Sequence, residues 1–99
     1  MGSSHKSSTV LVIEKRLAEA ARGRVDALYD LGIAYSSGAG GVTVDLIEAH
    51  KWFNLAALSG SEAAQKCRAE IADGMTAREI SEAQRAARAW LVSHQRHAA

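Results

Sequence analysis

Apolar and polar positions alternate along this chain with the period of helices rather than strands. Ile13, Leu17, Ala20 and Ala21 fall on one face at spacings of three and four, which predicts a helix from about Thr9 to Arg22, stopped by Gly23. A second helix, Val25 to Ser37, is predicted to bury Leu28, Leu31, Gly32 and Tyr35, and Gly38-Ala-Gly-Gly41 breaks it. A third begins at Asp45, which stands at capping-box spacing from Glu48. It buries Ala49, Trp52, Phe53 and Ala56 and ends before Gly60. Ser61 can cap a fourth, reaching about Asp73 before Gly74. The fifth has the clearest start, with Thr76 and Glu79 as a capping box and Met75 and Ile80 at hydrophobic-staple positions. Its stripe is Ile80, Ala83, Ala87, Trp90 and Leu91.

No linker interrupts these segments, so residues 9–99 read as a single domain behind a polar, flexible leader, residues 1–8. Part of that leader looks like an expression-vector remnant. Composition supports the helical reading. Hydrophobic residues make up 47% of the chain but aromatics only 5%, and alanine, small and strongly helix-favouring, supplies much of the difference. Proline is absent, and β-branched residues cluster only at Val10 to Ile13 and Val42 to Val44. The expectation is an all-α fold of about five antiparallel helices, the fifth a long C-terminal cap. No apolar run is long enough for membrane insertion. A net charge of +1 provides no broad basic face for nucleic acid. Cys67 is the only cysteine, which excludes an internal disulfide and fits a reducing compartment. The cytoplasm is therefore expected, with an exported compartment left open if a native N-terminal segment was removed.

An internal offset adds organisation. Leu17, Ala20 and Ala21 recur as Phe53, Ala56 and Ala57, each 36 residues later. The same shift carries Ala27 to Ala63, Leu28 to Ala64, Leu31 to Cys67 and Tyr35 to Ile71, while Gly23 recurs as Gly60 at 37. The period is that of a helix pair slightly longer than a tetratricopeptide unit.

Within residues 27–60 the pattern is Ala27, Leu31, Gly32, Tyr35, Gly38, Gly40, Gly41, Val42, Asp45, Ala49, Trp52, Ala56, Ala57 and Gly60. This pattern resembles a Sel1-like repeat, a relative of the tetratricopeptide. Leu17 to Gly23 looks like the end of a preceding unit and Ser61 to Ile71 like the start of a following one. The Ala- and Arg-rich fifth helix resembles the C-terminal tail of bacterial members. The resemblance implies an α-α superhelix with one complete repeat flanked by partial repeats. The chain departs from the family's loop, reading Gly38-Ala-Gly-Gly-Val42 with one residue more, and Thr43 stands where proline is common.

Candidate chemistry is sparse. The glycine loop follows a helix and lacks the Lys-Ser/Thr of a phosphate cradle, so it reads as an interhelical turn. His94 and His97 are too few for a metal site, with His5 and His50 distant in sequence, and no metal or other cofactor is expected. Cys67 reads as a small core residue, and Trp52 and Trp90 as core aromatics. Arg85, Arg88 and Arg96 with His94 and His97 form a basic helix end that complements the helix dipole. No nucleophile–base pair stands out, and the cysteine pairs that accompany β-lactam hydrolysis in some members of the resembled family are missing. The chain is therefore expected to be no enzyme.

The resemblance implies instead a protein–protein interaction module, an adaptor or scaffold that holds a peptide or partner domain on its concave face. Asp30, Ile33, Ala34 and Ser37 on the second helix are the candidate contacts. Shifting Asp30 and Ala34 by 36 adds Lys66 and Glu70, so that alternating charges would run along one groove. The alternative is assembly: a homodimer, or a place in a longer array, formed through Val10, Val12 and Leu17 of the first helix.

Overall fold

A computed structural model describes residues 7–98, with side chains through His94. Five α-helices and one short 3-10 turn account for most of the described residues: α1 (Ser8–Ala21), α2 (Val25–Ser37), the turn Ala39–Gly41, α3 (Leu46–Leu58), α4 (Glu62–Ala72) and α5 (Ala77–Ala98). No strand occurs among them, and none of these helices is long and apolar enough to cross a membrane. Most boundaries follow local chemistry. Ser7, Asp45 and Ser61 each accept a backbone N–H three residues on, satisfying a donor the helix start would otherwise leave bare. Ser7 and Ser8, assigned by sequence to the leader, thus cap and open α1; Met1 to Lys6 lie outside the described residues.

Of the two expected capping boxes one closes fully. Thr76 N–H donates to Glu79 Oε1 at 2.8 Å, and Glu79 N–H returns to Thr76 Oγ1 at 3.1 Å. At α3 only half forms, because Asp45 N–H donates instead to the Tyr35 carbonyl at 2.8 Å and Glu48 turns to Lys51 Nζ at 2.7 Å. The glycine loop reverses the chain through positive φ at Gly38, Gly40 and Gly41, with a 3-10 turn over Ala39–Gly41. Thr9 ties α1 to this loop by donating its hydroxyl proton to the Gly40 carbonyl.

The helices pack around α3, which touches α2, α4 and α5, while α2 also packs on α1. The core is built mainly from Leu31 of α2 and Phe53 and Leu55 of α3, with Ala20, Ala27, Ala49, Ala56 and Ala64 between them. Gly32 decides how closely α2 and α3 approach. A Cβ there would stand 2.5 Å from the Phe53 ring, so only glycine admits that ring. Trp52 is buried and meets the half-buried Trp90 edge-on at 5.7 Å, which fixes α5 to α3.

Three expectations shift. Leu17, placed on the buried face of the first helix, is 39% exposed, and Ala21 is exposed too, because α1 has α2 on one side only. Cys67 is half-buried, its Sγ 3.9 Å from the Tyr29 hydroxyl at the edge of α4. The hydrogen bonds that end α1 and α3 stand 37 residues apart, not 36. Gly23 N–H to Ala20 O and Arg24 N–H to Glu19 O are matched by Gly60 N–H to Ala57 O and Ser61 N–H to Ala56 O. At 37 Ala20 still meets Ala57 and Ala27 still meets Ala64, but Leu17, Leu28 and Leu31 fall on Asn54, Gln65 and Arg68, so the apolar coincidences at 36 and the backbone step at 37 are different registers.

A candidate interaction groove

A groove of about 270 Å³ opens between α1, α2 and the loop that joins α2 to α3. Helical spacing places Thr9, Val12 and Arg16 along its α1 wall, and Asp30, Ile33 and Ala34 along its α2 wall. Ala39, Gly40 and Val42 close one end, held there by the Thr9–Gly40 hydrogen bond. The floor is aliphatic. Polarity is concentrated in one ion pair, Arg16 Nε to Asp30 Oδ2 at 3.5 Å, and the Arg16 guanidinium also reaches Glu19 Oε1 at 3.0 Å.

Of the candidates proposed from sequence, the structure brings Asp30, Ile33 and Ala34 together in this groove. Ser37 is turned away from that task. Its hydroxyl donates to the Ile33 carbonyl at 2.7 Å and accepts the Ala39 N–H at 3.2 Å, a local bond that shapes the loop. Lys66 and Glu70 are exposed on α4 and line no part of the groove. Asp30 and Glu70 do bear on one residue between them, Tyr29. The Cys67 contact, by hydrogen bond and then charge, is the main cause that raises the Tyr29 phenol above its ordinary value; burial and the two carboxylates add to it. Sequence reasoning missed Arg16 and Thr9, and named Val12 only as an assembly contact. The signal was present in Thr9, Val12 and Arg16, which stand at spacings of three and four on one face of the first helix.

Elsewhere the titratable groups are dispersed. His50 is buried on α3 with Nδ1 unpartnered, and the Trp52 indole N–H is likewise buried without a partner. Burial first, then the nearby positive charge of Arg68, lowers the His50 pKa; Arg68 itself donates a hydrogen bond to Asn54. The His94 ring stacks on Trp90 at 3.8 Å and Lys51 Nζ lies 4.3 Å above Trp52, giving a ladder of rings along the α3–α5 junction. The side chains of Arg96 and His97 lie outside those described. Among the described residues no three His, Cys, Asp or Glu side chains stand close enough to hold a metal ion. Family models, curated proteins and solved structures were all compared with the chain, and none matches it.

Proposed function

We propose that this chain is a protein-interaction module that takes a peptide or a partner domain in the groove between α1 and α2. The observation that carries the reading is the character of the groove. It has an aliphatic floor, a single polar pair at mid-length, and a loop that closes one end. Its volume of about 270 Å³ falls just below the roughly 300–1,000 Å³ usual for small-molecule sites. Its charged lining residues, Arg16 and Asp30, satisfy each other instead of converging on a reacting atom. Binding rather than catalysis follows, with the apolar floor providing affinity and the ion pair orientation. The Sel1-like resemblance of residues 27–60 supports the same reading. In it α2–α3 is the complete helix pair, α1 and α4 belong to neighbouring partial units, and α5 caps the array.

Selection of random displayed peptides against the chain, followed by amide chemical-shift mapping, tests the proposal. Bound peptides should shift Val12, Arg16, Asp30, Ile33 and Ala34, and Ile33→Lys should abolish binding while leaving helicity unchanged. Peptides whose shifts cluster on α4 or α5 would reject the groove.

A further inference from the structure

One helix of this molecule lies across two others. From α2, the Tyr29 ring tilts against Phe53 of α3 at 5.8 Å, and its hydroxyl meets Cys67 of α4 at 3.9 Å. Three residues on, Gly32 gives the Phe53 ring its place against the α2 backbone. The hydrogen bonds that end α1 and open α2 recur 37 residues later at the end of α3 and the start of α4, down to Leu28 N–H to Arg24 O and Gln65 N–H to Ser61 O. Carried back by that same step, Phe53 falls on Arg16 and Cys67 falls on Asp30. These are the two residues that pair in the groove. The space beside α1 and α2 therefore corresponds to the space beside α3 and α4 that α2 fills.

We infer that the groove is a seat for an amphipathic α-helix of a partner protein, laid as α2 lies on α3 and α4, with a tyrosine over the Arg16–Asp30 pair and a glycine or alanine three residues later. The inference rests on the groove being the binding surface and adds what occupies it. The exchange of Phe53 and Cys67 for Arg16 and Asp30 specifies the chemistry. A tyrosine ring that packs on Phe53 in α2 would lie on a guanidinium, to which its face is attracted. Its hydroxyl would donate to a carboxylate instead of meeting a thiol, a stronger bond because the acceptor is charged. Val12, Ile33 and Ala34 receive the aliphatic side chains one turn to either side. A helix laid on a surface presents one row of side chains to the groove and leaves its other face outside.

The test uses the full chain with a second copy of residues 24–38, the α2 segment, joined ahead of Met1. The seven residues Met1 to Ser7 then precede α1, where eight, Gly38 to Asp45, separate α2 from α3. The added segment should become helical by its carbon chemical shifts, and the amides of Val12, Arg16, Asp30 and Ile33 should move with it. Changing the added copy of Tyr29 to alanine, or Asp30→Ala in the groove, should reduce the docking equilibrium constant by about tenfold, the factor that one charge-assisted hydrogen bond commands. Bulk at the added copy of Gly32 (leucine in its place) should undock the segment. A segment that shifts the groove amides while staying extended would overturn the helix and leave the groove reading intact. A helical segment that docks elsewhere, or groove shifts indifferent to the tyrosine and to Asp30, would also overturn the inference. Movement of the same groove amides on concentrating the unmodified chain, with a dimer in light scattering and no dependence on Asp30, would assign the seat to a second copy and overturn it as well.

Discussion

α1 and α3 end alike and live differently. Both stop at a glycine with positive φ, Gly23 and Gly60, through the same pair of reverse hydrogen bonds. Yet α3 is enclosed by α2, α4 and α5, whereas among the described residues α1 packs chiefly on α2 and the loop. The position that holds Phe53 in α3, fully buried, holds Arg16 in α1, 37% exposed at its side chain. Val10, Leu11, Val12 and Leu17 also remain exposed on α1. Identical helix endings thus fix where a helix stops. They do not fix what covers it, and the same local chemistry serves a core helix and an edge helix.

Four measurements would break or sharpen this contrast. The largest effect is expected from Phe53→Ala, which should cost about 3–5 kcal/mol in urea unfolding, since the ring is buried among three helices. Gly32→Ala should cost about 1–3 kcal/mol, because the new methyl meets the Phe53 ring and neither helix can retreat freely. A neutral result at Gly32 would mean that the α2–α3 contact is looser than its geometry. The third concerns His50, whose folded pKa is lowered. The unfolded chain then binds the proton first as pH falls below about 6.5, so stability should decline from there downward. His50→Gln should flatten the dependence of Tm on pH between about 7.5 and 5, and an unchanged slope would assign the decline to other groups. The smallest effect is expected at Arg16→Ala, about 0–1 kcal/mol, as its ion pairs are partly exposed. A cost near that of Phe53→Ala would erase the distinction between the enclosed and the open helix.

The helices were legible in the sequence because their ends carry their own chemistry. Thr76 with Glu79, Ser61, Gly23 and Gly38 each act within a few residues of themselves, so reading them needs no knowledge of the fold. Asp45 shows where that reading stops. The cap was legible, but the Tyr35 carbonyl that takes its N–H comes from the far side of the loop. The groove was half legible. Asp30, Ile33 and Ala34 were identified as residues that packing leaves spare, whereas Arg16 and Thr9 become lining residues only when α1 settles beside α2. Lys66 and Glu70 were placed by a sequence offset, but both stand on α4, none of whose residues lines the groove between α1 and α2.

The two tryptophans give the molecule a built-in and partial reporter. Both belong to the α3–α5 junction, stacked edge-on with His94 and Lys51 against their faces. Tryptophan emission, excited apart from that of Tyr29 and Tyr35 on α2, therefore watches one seam only and does not report directly on α1, the loop or the groove. An emission change that precedes loss of helicity during unfolding would mean that α5 has peeled away while the rest of the bundle still stands.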